Sequence, residues 1–230
     1  MLNSKFIISV AAVAAMSAGL WLSSMQQSGD EASVEQQKQK ELAEARNNYS
    51  PIQGTILSPA RKIIIPELLT DNGEKFTLED IKGHWSLLFF GYTHCPDICP
   101  VTLGVVAQAK KTATSFNHMF PQVVFVSVDP DRDKVEMLSD YVQYFDKDFV
   151  GVTGDAEMIK ALTLQMSVVY MKVPVDNGTS VNSDDSVYNV DHSSSLLLVN
   201  PDGKLVAFFN PPHDSKTILK DFQTVVNQQL

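Results

Sequence analysis

Ser86-Leu87-Leu88-Phe89-Phe90 and Val123-Val124-Phe125-Val126-Ser127-Val128 flank the segment Gly91-Tyr92-Thr93-His94-Cys95-Pro96-Asp97-Ile98-Cys99-Pro100, and their reading decides the fold. Both flanking runs are short and continuously apolar, as expected of strands buried on both faces. Val101 to about Asn117 is long and polar enough to form a helix covering one face of a sheet. Strand, helix and strand in that order make a βαβ unit with two parallel central strands.

Toward the C-terminus, Val135, Leu138, Tyr141, Val142 and Phe145 recur at helical spacing within 134–145. Phe149 to Val152 reads as a further strand and Glu157 to Met166 as a further helix. The polar segment from Asp176 through Asp185 reads as a surface loop. Ser195 to Val199, the turn Asn200-Pro201-Asp202-Gly203, and Lys204 to Phe209 form a hairpin signal. From Asp214, an N-cap candidate, a last helix places Ile218, Leu219, Phe222, Val225 and Val226 on one face. The order βαβ, helix, hairpin, helix predicts an α/β fold: a thioredoxin-like central sheet flanked by helices. No internal repeat is visible.

Toward the N-terminus, Lys5 precedes an uncharged run from Phe6 to Leu22, a positive region followed by an apolar one. Two small-x-small sites lie inside that run, with Leu20, Trp21 and Leu22 still to come, so the expectation is a retained signal-anchor over residues 1–25. Lys5 on the cytoplasmic side leaves the rest of the chain outside. The first Arg is Arg46, unlike an Arg-rich presequence, and no Cys follows the run to carry a lipid. The predicted location is thus a bacterial inner membrane with the domain in the periplasm. Residues 26–50, rich in Gln, Glu, Lys, Ser and Ala, read as a polar tether, partly helical around Val34 to Arg46. The folded domain is expected over 51–230.

With 44% apolar residues among 230, the chain can bury an ordinary core. Its 18 basic against 27 acidic residues give a formal charge of −9, with no basic run interleaved with aromatics, which makes nucleic acid a poor partner.

Cys95 and Cys99 are the only two cysteines. A bridge between them closes so small a loop that it stabilises by only about 2 kcal/mol, so a reactive or metal-binding dithiol is the better reading. The segment lies beyond the carboxyl end of a parallel strand and at a helix mouth, where a thiolate is stabilised. Pro100 biases Cys99 away from helical dihedrals, predicting a helix that begins at about Pro100 with both thiols in the preceding turn. Asp97 is a candidate to cap that helix or to tune the thiols, capping being the plainer role. His84, His94, His118 and His213 stand in polar or turn contexts of ordinary surface histidines, and Met158, Met166 and Met171 are expected in the core.

Gly91-Tyr92-Thr93 followed by Cys95-Pro96-Asp97-Ile98-Cys99-Pro100 resembles the signature of the Sco/SenC family of copper proteins. Leu69-Thr70-Asp71 with Gly73, Asp129-Pro130-x-Arg132-Asp133, and Val190-Asp191-His192-Ser193 extend the likeness over about residues 55 to 230. The resemblance implies a third ligand, His192, at a place where thioredoxin-like oxidoreductases have a proline; here Asp191-His192-Ser193-Ser194-Ser195 has none. Two thiolates and one imidazole suit Cu(I), whereas structural zinc normally takes a fourth protein ligand. Whether Cu(II) is held as well stays open.

Asp129, ending the second strand, is a candidate outer-shell acceptor for a ligand histidine, with strand termination the plainer role; Asp131 or Asp133 is expected to cap the next helix. The implied function is that of a copper chaperone serving the binuclear copper centre of cytochrome c oxidase. Its partners would be the copper-centre subunit, other periplasmic copper carriers and thiol reductants. The alternative is a thiol-disulfide reductase working through a Cys95–Cys99 disulfide.

Overall fold

A computed structural model describes residues 37–38, 52–174 and 188–229. The anchor expected over 1–25, most of the 26–50 tether and the loop expected from Asp176 to Asp185 lie outside the described residues. No helix among the described residues is long and apolar enough to cross a membrane.

The βαβ unit forms around two strands that water cannot reach. β4 (Ser86–Gly91) is buried at every position, and β5 (Gln122–Ser127) at all but its first. They pair in parallel with Phe89 beside Phe125, and β6 (Val150–Thr153) continues the parallel set. α1 (Ile98–Ser115) connects β4 to β5, and α2 (Val135–Phe145) connects β5 to β6. α3 (Ala156–Gln165) follows, and α4 (Ser215–Gln229) ends the described chain. α1 packs on α4, and α2 lies against β6. Asp214 caps α4 as its sequence suggests, its carboxylate accepting the Lys216 and Thr217 amides at 3.1 and 3.0 Å.

The hairpin of β9 (Leu196–Val199) and β10 (Lys204–Phe209) adds antiparallel to β4. β1 (Gly54–Lys62) lies outside β10, and β2 (Leu68–Thr70) with β3 (Lys75–Phe76) closes the other edge, giving eight strands in the order β1-β10-β9-β4-β5-β6-β2-β3. A second, two-stranded sheet joins β7 (Tyr170–Pro174) to β8 (Tyr188–His192).

Three local readings are corrected. α1 begins at Ile98, not Pro100, so Cys99 sits inside the first helical turn. The turn closes because Pro100 needs no amide partner there, while the Val101 amide reaches the Asp97 carbonyl at 3.2 Å. α2 is capped at Lys134, since Asp133 points inward and is fully buried. Of the three methionines expected in the core only Met166 is buried; Met158 and Met171 reach the surface of α3 and β7.

Candidate metal centre

Three elements converge at the carboxyl end of β4. The loop from Tyr92 carries Cys95, the first turn of α1 carries Cys99, and β8 ends on His192. The two sulfurs and one imidazole nitrogen lie within 4.8 Å of one another, and they are the only such cluster of His, Cys, Asp or Glu among the described residues. Cys99 Sγ stands 3.3 Å from His192 Nε2, and the Cys99 amide donates to Cys95 Sγ at 3.5 Å.

The imidazole is held by its other side. Nδ1–H donates to the Ser193 carbonyl at 3.1 Å, which leaves the Nε2 lone pair facing the thiols. The edges of Phe89 and Tyr92 meet the ring at centroid distances of 6.1 and 6.0 Å, walling it with apolar surface. Gly91 ends β4 directly under Cys99.

Burial divides the two thiols. Cys99 is wholly enclosed, whereas Cys95 is 9% exposed and His192 is half-buried. The hydrogen bond between the thiols shifts them in opposite senses. Cys95 falls far below the ordinary thiol range because Cys99 donates to it, with the Asp97 and Cys99 backbone amides adding to the effect. Cys99 rises because its proton is held in the hydrogen bond to Cys95 and because it is buried. Of the two thiols, Cys95 is the more acidic and Cys99 the less.

Asp129 does not reach the imidazole. Its fully buried carboxylate is taken by the Arg132 guanidinium and by the Tyr188 hydroxyl, the latter at 2.7 Å, so the expected outer acceptor for His192 is the Ser193 carbonyl instead. Asp133 braces the cysteine loop, accepting the Thr93 amide at 2.9 Å, the Thr93 hydroxyl at 2.6 Å and the Ser127 hydroxyl at 2.7 Å. Asp97 occupies the N-cap position of α1 but makes no side-chain cap bond. None of the other histidines joins the cluster: His94 leans on Thr93 at 3.0 Å, His213 on the Ser194 carbonyl at 2.8 Å, and His84 on Gln122.

Sequence reasoning passed over Gly91, Tyr92 and Tyr188. Gly91 and Tyr92 stood in a quoted motif without a role. Tyr188 follows a polar segment and carries no periodicity that would mark it.

The SCO1/SenC family profile matches residues 62–227. "Protein SCO1 homolog 1, mitochondrial" of Arabidopsis thaliana is 37% identical over 147 residues, which cover 64% of this chain and 42% of that protein. An SCO2-like protein of Rickettsia prowazekii (strain Madrid E) is 36% identical over 157 residues, 68% of this chain and 73% of its own length. This chain thus spans less than half of the Arabidopsis relative and about three quarters of the Rickettsia one. Among solved structures, Arabidopsis thaliana ScoI with copper bound superposes at a TM-score of 0.62 with 34% identity, over 70% of this chain and 96% of that one.

Proposed function

Because this chain belongs to the SCO1/SenC family, we propose that it is a copper chaperone, holding one Cu(I) ion on Cys95, Cys99 and His192 and delivering it to the binuclear copper centre of cytochrome c oxidase. The observation that carries this reading is the convergence of two sulfurs and one imidazole nitrogen within 4.8 Å. That donor set is soft and three-coordinate, which suits Cu(I) and leaves zinc one protein ligand short. The copper-bound Arabidopsis relative supports the choice of metal.

Delivery needs no net oxidation or reduction. An incoming donor from the partner displaces one ligand at a time, and burial sets the order. His192 and Cys95 border solvent, so exchange begins with them, while enclosed Cys99 is the last to let go. Phe89 and Tyr92 flank the imidazole away from the opening.

The acidity of Cys95 favours a second reading, a thiol-disulfide reductase. Cys95 thiolate would attack a disulfide of the oxidase subunit, forming a mixed disulfide and expelling one partner thiolate. Cys99, on losing its proton, would then displace the second, leaving a Cys95–Cys99 disulfide and passing two electrons to the partner. A thiol reductant would restore the dithiol.

His192 separates the two. As a copper ligand it is required, so His192→Ala should weaken Cu(I) binding by the full-length protein and leave oxidase short of copper in cells, at normal abundance and folding. Full copper loading of oxidase in that strain would overturn the chaperone reading in favour of the reductase, in which exchange runs between sulfurs alone. The same proposal places Phe6 to Leu22 in a bacterial inner membrane, with the domain in the periplasm. Alkaline extraction of membranes tests it: the chain should stay in the pellet at full length, and release of a shortened soluble form would overturn the anchor.

A further inference from the structure

His192 does not belong to the large sheet, whose β4 leads into the dithiol loop. It ends β8, whose strand partner is β7, and this hairpin is separate from the eight-stranded sheet. β8 itself pairs with no strand of the large sheet, which the chain re-enters only at Leu196 of β9. The turn that follows β5 supplies what the sheet does not.

Within that turn, Asp129 accepts the Tyr188 hydroxyl at 2.7 Å and pairs with Arg132. Arg132 folds back over Tyr188, its guanidinium carbon 3.7 Å from the ring centroid and Nη1 donating to the Tyr188 carbonyl at 3.0 Å. Asp131 binds Lys172 on β7 at 2.5 Å, and the same ammonium lies 4.6 Å from the Tyr188 ring. One turn thus grips both strands of the hairpin. Tyr188 and His192 stand an even number of residues apart on β8, on one face and separated by about 13 Å of stiff strand. A shorter route joins them as well: Arg132 lies 5.6 Å from the Tyr92 ring, and the Tyr92 ring meets His192 edge-on at 6.0 Å.

We infer that Asp129, Arg132 and Tyr188 are positioning residues that present His192 Nε2 to the two thiols, although none of them belongs to the ligand cluster. Asp129 does act on the histidine, through the hairpin and not through the ring. A guanidinium stack and two hydrogen bonds converge on Tyr188 where it enters β8, and the Asp129–Arg132 salt bridge holds their donors and acceptors in place, so loosening them frees the strand to swing and carries the imidazole away. The inference rests on the reading of His192 as a copper ligand.

The test is a mutant cycle on the full-length protein, with Cu(I) affinity measured by competition against a chromophoric chelator. Arg132→Gln and Tyr188→Phe are each made alone and combined with His192→Ala. Removing an outer partner of a metal ligand costs about 10- to 100-fold in affinity, and Arg132→Gln should fall in that range, with Tyr188→Phe near its lower end. Cu X-ray absorption should show the imidazole scattering weakened in both. In the His192→Ala background neither substitution should weaken binding further, because the group they position is gone. Equal losses with and without His192 would overturn the inference by showing general damage to the fold. Unchanged affinity in both single variants would overturn it as well. If His192→Ala alone leaves Cu(I) affinity untouched, the ligand reading itself fails and takes the inference with it. Tyr188→Phe keeps the ring and its stack, so it carries the test where Arg132→Gln does not fold.

Discussion

Gly91 and Cys99 are in van der Waals contact across the end of β4: a methyl group on Gly91 would sit 2.6 Å from Cys99 Sγ and 2.8 Å from the Phe125 ring. The sulfur therefore rests on bare backbone, and any side chain there must push it toward His192 or drive Phe125 out of the core. Gly91→Ala should destabilise the protein by about 1–3 kcal/mol, as overpacking does, and should weaken Cu(I) binding beyond what the stability loss alone produces. Urea unfolding with a chelator competition on the same sample measures both. A variant as stable and as tight as the parent would show that the sulfur has room to move.

Cys95 and Cys99 should react unequally. Held far below the ordinary thiol range by its Cys99 partner, Cys95 stays a thiolate at about pH 5, where an ordinary cysteine is protonated, while Cys99 stays a thiol. Brief alkylation of the reduced, metal-free protein at that pH should label Cys95 and spare Cys99, as read by peptide mass spectrometry. The sign for stability follows. Cys95 is ionised in the folded chain and protonated in the unfolded one over the window between its two pKa values, so the reduced protein gains stability as pH rises through that window. The gain is lost as pH falls through the folded value.

Asp133 should matter for folding more than its distance from the ligand cluster suggests. Its carboxylate accepts three donors, the Thr93 amide and the hydroxyls of Thr93 and Ser127, and is buried. Asp133→Asn turns an N–H group toward donors and should cost about 3 kcal/mol or more, since hydrogen bonds to a charged group are worth about 1.5–3 kcal/mol each. Denaturant unfolding checks this. A loss below about 1 kcal/mol would mean that Asn finds other partners.

The βαβ unit was legible because β4 and β5 are unbroken apolar runs, which only strands buried on both faces require. The β9–β10 hairpin was legible through its Asn200-Pro201-Asp202-Gly203 turn. β1 was not, because its nine residues alternate neither in apolarity nor in burial, and its register with β10 shifts between Ile56 and Arg61. β7 and β8 escaped for a similar reason, being short strands with Val190 their one buried position. The cysteines could be paired from their spacing, yet His192 lies 93 residues beyond Cys99, and no local pattern reports a contact of that range. Resemblance to a family supplied it. The role expected of Asp129 shows the limit of such reading: the residue is buried near the site, but its bonds go to Arg132 and Tyr188.

The ligand set has a consequence for the chain as a polymer. Cys95 and Cys99 belong to the loop and helix that follow β4, and His192 to a hairpin outside the large sheet. An ion held by all three joins points 93 residues apart in sequence, which only the folded chain brings together. Ligand that binds only the folded state adds about 2.7 kcal/mol at a hundredfold excess over its Kd. The melting temperature of the loaded protein should therefore climb with free copper, so that the fold itself becomes a gauge of how much metal its compartment offers.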